Sequence, residues 1–202
     1  MIISLPELPV CFVGLHEHED RWSRIDAWTK EHGYSDVTQF KNEKNKSLSK
    51  YGDVRLRFIE ALESIKSFPS ILFEDDATPT KWYANDLEVP DNAGVIYLGG
   101  SWFGLEDKGG ARIHHVERTI IPYEPDPRFG RVVNMMATHA MLFMTEEARD
   151  DVLCIIEDDP YDQLCPDFHL CLSQKDFDML VLRKPLFYQQ DGANDKQTNA
   201  EL

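Results

Sequence analysis

The stretch Ser70-Ile71-Leu72-Phe73-Glu74-Asp75-Asp76-Ala77 sets three consecutive carboxylates directly behind a short apolar run. Ile71, Leu72 and Phe73 are β-branched or bulky, Pro69-Ser70 leads into them and Ala77-Thr78-Pro79 follows, so the run predicts a short strand buried on both faces. The acids then fall at its carboxyl end, the edge of an open α/β sheet where ligands bind. Three adjacent anions repel one another unless a cation shares them. Hard oxygen donors of this kind suit Mg²⁺ or Mn²⁺, which take one or two protein carboxylates and complete their shell with water and phosphate oxygens. The functional reading is a divalent metal that holds a diphosphate. The plain alternative is a solvated acidic loop, a common feature of acidic chains.

The rest of the composition limits what this site can belong to. At 202 residues, with 42% apolar and 11% aromatic side chains, the chain is long enough for one folded domain with a sizeable core. We place that domain at residues 1–195 and read 196–202 as a polar flexible tail. No apolar run approaches the roughly 18 to 20 residues of a membrane span. Met1-Ile2-Ile3-Ser4-Leu5-Pro6 lacks the basic and apolar regions of a secretory signal, so a cytoplasmic location is expected. Cys11, Cys154, Cys165 and Cys171 show no C-x-x-C spacing and read as free thiols. The net charge of −15 opposes non-specific attraction to nucleic acid or to an anionic membrane. The four lysines between Lys41 and Lys50 make one solvated loop, not a groove.

Outward from the acidic stretch, the pattern is that of alternating strands and helices. Val10 to Leu15 predicts a buried strand, and Trp22, Ile25 and Trp28 predict one face of a helix that stops near Gly33. A short second strand fits Tyr34 to Phe40. Asp53 can cap a helix on which Val54, Phe58, Ala61, Ile65 and Phe68 share a face, and that helix leads straight into the acidic strand. Gly94 to Gly100 predicts another short buried strand. Asp107 to Arg131 lacks periodicity, apart from Arg112 to Val116 and Thr119 to Ile121, which could pair as a ribbon. Met135 to Thr145 is apolar and ends in a hydroxyl that can cap the helix begun by Glu146 and Glu147. Pro166 opens a further helix with Asp167 at or near its cap, and Met179 to Leu182 predicts the last core strand. The expected fold is α/β, with a mostly parallel, Rossmann-like central sheet flanked by helices.

Four landmarks in this order resemble glycosyltransferase family 25, the group that includes lipopolysaccharide-biosynthesis and collagen galactosyltransferases and has the GT-A fold. The first is Gly14-Leu15 through Arg21, similar to the family's opening of Asn-Leu, a polar turn and Arg, with Gly14 in place of Asn. The second is the acidic strand itself, whose Glu74-Asp75-Asp76 fits the acid-any-acid pattern. The third is Ala137 through Ala148. The fourth is Lys184 through Asp195, with Asn194 where Ser is usual. A Ser-His pair that commonly opens the second helix of the family is replaced here by Ser49-Lys50.

The resemblance implies a single-domain GT-A-like transferase that moves a sugar from a nucleotide-sugar, with UDP the usual nucleotide, to an acceptor hydroxyl, most readily on a saccharide, with inversion. It implies that Asp76 and Glu74 hold Mn²⁺ or Mg²⁺, that Arg21, Asp75 and Gln190 contact the donor, that Asp167 is the catalytic base, with Asp162 its competitor, and that Gln190 or Asp191 adds a ligand or closes the pocket. His139 is read either as a core residue or as facing the site. Two other readings stand beside this one: a non-catalytic nucleotide- or metal-binding α/β module, and a phage-type glycosyltransferase acting on modified DNA bases, which the net charge disfavours.

Overall fold

The computed structural model describes residues 1–43, 48–108, 111–158 and 165–190. Elements follow in chain order as β1 (Ile2–Ser4), β2 (Val10–Leu15), α1 (Glu19–Glu31), β3 (Val37–Asn42), α2 (Lys50–Ser64), β4 (Ser70–Glu74), β5 (Ala77–Pro79), β6 (Asp86–Glu88) and β7 (Val95–Tyr97). Then come β8 (Phe103–Lys108), β9 (Ala111–Glu117), β10 (Thr119–Pro122), β11 (Phe129–Asn134), β12 (Ala140–Phe143), α3 (Glu146–Glu157), α4 (Pro166–Ser173), β13 (Met179–Leu182) and β14 (Phe187–Gln189).

Eight strands form one sheet in the order β10-β11-β13-β7-β12-β4-β2-β3. Alternation along its central strands splits the core into two layers. Phe12, Ile71, Phe73, Ile96 and Leu142 point to one face, where Trp22 and Ile25 of α1 cover them. Cys11, Val13, Leu72, Tyr97 and Met141 point to the other, under Phe58, Ala61 and Leu62 of α2, Val152 and Ile156 of α3 and Leu170 of α4. The acidic strand lies near the middle of the sheet, and Ile71, Leu72 and Phe73 are wholly buried, as a strand covered on both faces must be.

The sheet is mixed, where a mostly parallel one was expected. β2 pairs in parallel with β3 and β4, and β13 with β7, but β12 lies antiparallel between β4 and β7, and β11 antiparallel beside β13 and β10. β12, reached from β11 through Met135–His139, enters from the edge where β4 ends and runs back beside it. Buried Gln174 steadies this link by taking the Met135 N–H at 2.7 Å and giving its amide to the Met135 carbonyl at 2.8 Å.

Other sequence expectations shift for local reasons. Ser49, not Asp53, caps α2, its hydroxyl accepting from the Gly52 N–H at 3.0 Å. Asp53 is instead buried in an ion pair with Arg57 one turn on. α1 begins at Glu19, ahead of Trp22, because two acids favour the positive end of a helix. Residues 112–116 and 119–121 do not pair with each other: β9 pairs with β8 and β10 with β11, so part of the stretch read as irregular is sheet. Thr145 caps α3 as expected, accepting from the Ala148 N–H at 3.2 Å. Asp162, Asp191, Asn194, the tail from Lys196 and the centre of the lysine loop lie outside the described residues. Among the described residues, no helix is long and apolar enough to cross a membrane.

Candidate functional site

The carboxyl ends of β2 and β4 and the start of β12 meet at one edge of the sheet, and the three acids are dealt out there to different partners. Strand alternation separates them. The Glu74 N–H donates to the His139 carbonyl at 3.0 Å and the Asp75 N–H to the Val13 carbonyl at 2.9 Å, so the acids leave the sheet while still tied to both neighbouring strands.

Asp75 turns back over β2. Its Oδ1 accepts from Arg21 Nη1 at 2.6 Å and its Oδ2 meets His18 Nδ1 at 2.6 Å. His18 stands at the start of α1 and Arg21 in its first turn, and the Trp22 indole fixes that turn by donating to the Leu15 carbonyl at 2.7 Å. The path of Asp75 exists only because residue 14 is glycine: a Cβ there would stand 2.2 Å from Asp75 Oδ2 and 2.4 Å from its Cβ. Gly14, the departure from the family-like opening, thus belongs to the same arrangement as Asp75 and Arg21.

Glu74 and Asp76 face the other way, toward β14. The Thr138 hydroxyl donates to Glu74 Oε1, and the Gln189 amide reaches Glu74 Oε2 at 3.5 Å and Asp76 Oδ2 at 3.2 Å. Antiparallel pairing of Gln189 with Ala77 sets this reach. Gln190, the residue expected to contact the donor, points away by the same alternation: its backbone N–H donates to the Asp76 carbonyl at 3.1 Å and its side chain accepts from the Thr78 hydroxyl at 3.2 Å. Arg21 also comes within 3.9 Å of Asp76 Oδ2.

Asp167 joins this edge from α4. It occupies the first turn, with Cys165 at the N-cap position, and not the cap itself. The Cys165 thiol donates to its Oδ1, and its charge is close enough to raise the pKa of Glu74. The charges of Asp76, Asp167 and Asp75 all bear on Glu74, and Asp75 is in addition paired with Arg21.

Glu74 records the crowding. Loss of hydration, and then the charge of Asp76, push its pKa up to about 8, against the opposing Thr138 hydrogen bond and with smaller repulsions from Asp167 and Asp75. Buried His139, whose backbone neighbours Glu74, is driven down to about 4 by loss of hydration, against the opposing Phe187 backbone hydrogen bond. It takes the core role, its Nε2 lodged against Gly99, where a Cβ would stand 2.0 Å away.

The two shifts act in different pH windows. The raised Glu74 pKa lets the folded state keep a proton that the unfolded chain loses, so stability falls as pH rises from about 4.5 to about 8. The lowered His139 pKa makes stability fall as pH drops from 6.5 to about 4. Between pH 6.5 and 8 only the Glu74 effect remains of the two. In chelator, the melting temperature is expected to drop across that window, by a loss on the order of 2 kcal/mol, and Glu74→Gln is expected to flatten the slope. An unchanged slope in the variant would remove Glu74 as its source.

Among the described residues, no three histidine, cysteine or carboxylate side chains form a ready-made cation cluster. The donor set nonetheless fits Mg²⁺ or Mn²⁺. Glu74 and Asp76 supply hard oxygens that face a common amide, and one or two carboxylates suffice where water and phosphate complete the shell. Asp75, occupied by Arg21 and His18, is not part of that set. The residues that sequence reasoning missed are Gln189, Thr138 and His18. Gln189 is placed by the register of β14 on β5, and the other two by tertiary contacts.

No protein-family model matches the chain, and no curated protein matches it in sequence. Among solved structures, it is similar to the crystal structure of a glycosyltransferase involved in the glycosylation of the major capsid of PBCV-1. The likeness covers 96% of this chain and 98% of that one, with a TM-score of 0.53 and 10% identity. At that identity the likeness is one of fold.

Proposed function

We propose that this protein is a metal-dependent, inverting glycosyltransferase that moves a sugar from a nucleotide-sugar, most naturally a UDP-sugar, to a hydroxyl on a saccharide. The observation that carries the reading is the pair Glu74 and Asp76 at the carboxyl edge of the sheet, spanned by the Gln189 amide at 3.5 and 3.2 Å, with Asp75 bound to Arg21 and His18. The glycosyltransferase fold of the neighbour and the ordered family 25-like landmarks support it.

Glu74 and Asp76 would hold Mn²⁺ or Mg²⁺, which when bound offsets the charge that builds on the departing diphosphate. Arg21, anchored by Asp75 and 3.9 Å from Asp76, sets a fixed positive charge beside that leaving group. Asp167 accepts the proton of the acceptor hydroxyl as its oxygen attacks the anomeric carbon. The bond from that carbon to the diphosphate breaks, and its electron pair stays on the phosphate oxygen. A carboxylate is a weak base for an alcohol, so proton transfer accompanies bond formation. The Gln189 amide, which spans Glu74 and Asp76 in the absence of metal, must turn aside or keep one bond when the cation enters.

The test is slow hydrolysis of UDP-sugars in the presence of Mn²⁺, followed as UDP release. Release that needs Mn²⁺ supports transferase chemistry. Binding without release favours the second reading, a non-catalytic nucleotide- or metal-binding module.

A further inference from the structure

The edge of the sheet that carries the acids also carries a basic pocket. β13 runs in parallel with β7, and β7 points the same way as β4, since both are antiparallel to β12. The carboxyl end of β13 therefore opens on the same edge as Asp75 and Asp76, three strands away, or about 14 Å at the usual strand spacing. A cavity of about 380 Å³ lies there, lined by Trp82, Leu182, Leu186, Arg128, Arg183 and Lys184, together with Pro127. This is the size of a small-ligand site with apolar walls and a few placed polar groups.

Its charge stands out against a chain of net charge −15. No carboxylate is among the described lining residues. The Arg128 guanidinium is already shared by Asp126 at 2.6 Å and Glu88 at 2.8 Å, so it contributes shape more than charge. Lys184 is exposed at the mouth, and Lys81 places its ammonium 4.8 Å from the centroid of the Trp82 ring. Among the described residues, neither lysine has a carboxylate partner. The β5–β14 ribbon fixes this wall: the Thr80 N–H donates to the Leu186 carbonyl at 2.8 Å and its hydroxyl to the Pro185 carbonyl at 2.7 Å. The other end of the same ribbon carries Gln189 and Ala77 beside the acids.

We propose that this pocket is a subsite for an anionic saccharide, with the Trp82 ring and Leu182 taking the apolar face of a sugar and Lys184 and Lys81 taking its carboxylate or phosphate. The occupant is a saccharide because the wall offers one indole plane and aliphatic side chains, which match the C–H face of a pyranose. It is anionic because the charged groups of the lining, Arg128, Arg183 and Lys184, are all cations, and Lys81 adds a fourth beside the Trp82 ring. A nucleic acid would demand an extended row of cations, which one compact pocket in a strongly acidic chain does not supply. The inference draws on the glycosyltransferase reading only in identifying the occupant as part of an acceptor. Its test needs neither donor nor metal, so the two can fail separately.

The test is calorimetric titration of the full chain, in chelator and low salt, with a uronic-acid tetrasaccharide, a phosphate-bearing tetrasaccharide, a neutral tetrasaccharide and a short DNA duplex. At least one acidic tetrasaccharide is expected to bind tenfold or more tightly than the neutral one, and which of the two does so identifies the anion. Lys184→Glu with Lys81→Glu is expected to weaken that binding at least tenfold, as is 0.5 M NaCl, with the melting temperature and UDP binding unchanged. Trp82→Ala is expected to weaken acidic and neutral saccharides alike. Equal affinity for acidic and neutral tetrasaccharides, no binding of either acidic one, an unaffected lysine double variant, or tighter binding of the duplex would each overturn the proposal.

Discussion

Asp167→Asn is expected to slow sugar transfer by about 10²- to 10⁴-fold while leaving UDP affinity within about twofold. The asymmetry follows from where the residue sits. Asp167 is carried by α4, whereas Glu74, Asp76 and Arg21 are carried by β4, the turn after it and α1. The contact between Asp167 and the acids is through charge, registered in the raised Glu74 pKa. Asparagine keeps the shape and the chance of a contact with the Cys165 thiol but can no longer take a proton. Removing the charge also relieves part of the repulsion on Glu74, so Mn²⁺-free stability at pH 8 should rise slightly and not fall. Stopped-assay turnover and UDP titration on the same preparation check both halves. If UDP affinity collapses together with transfer, Asp167 is a donor ligand or a structural residue and the base must be sought elsewhere.

Gly14→Asn carries the second large effect. The family-like opening would have Asn at this position, yet a Cβ there would lie 2.2 to 2.4 Å from three atoms of the Asp75 side chain. No real contact is that close, so Asp75 must leave its place over β2. It then loses Arg21 and His18, each at 2.6 Å. Breaking such a buried pair costs on the order of 3 kcal/mol, or about 6 to 12 °C in melting temperature for a chain of this length. UDP binding is expected to fall by more than tenfold because Arg21 is no longer held. Pairing the change with Asp75→Gly returns the space but not the ion pair, so it should relieve the clash while the melting temperature and the binding both stay below those of the wild type. Wild-type stability and binding in Gly14→Asn alone would show that Asp75 does not depend on the glycine.

How far the site was legible follows from which contacts are local. The acidic strand was readable because burial on both faces leaves a continuous apolar run, and its carboxyl edge follows from chain direction alone. The helices α2 and α3 were readable from their apolar faces, and the Thr145 cap from its hydroxyl ahead of two acids. Asp53 misled because an acid near a helix start is usually a cap, while here it is buried against Arg57 and Ser49 does the capping. The antiparallel place of β12 between β4 and β7 is a matter of pairing between distant strands, which an apolar pattern hides. Gln189 and Gln190 are adjacent amides, and a register that only the partner β5 supplies decides which faces the acids. The Asp75 clamp joins residues 18, 21 and 75 across α1, β2 and β4, and no periodicity within any one element encodes it.

The most direct measurement is calorimetric titration of UDP and of the common UDP-sugars, with and without Mn²⁺, on the wild type and on Asp76→Ala. The account predicts binding that requires both the cation and Asp76, with the variant's melting temperature in metal-free buffer close to that of the wild type. Binding that persists without Mn²⁺ or without Asp76, or no binding under any condition, would contradict the assignment of Glu74 and Asp76 as the metal-held donor site.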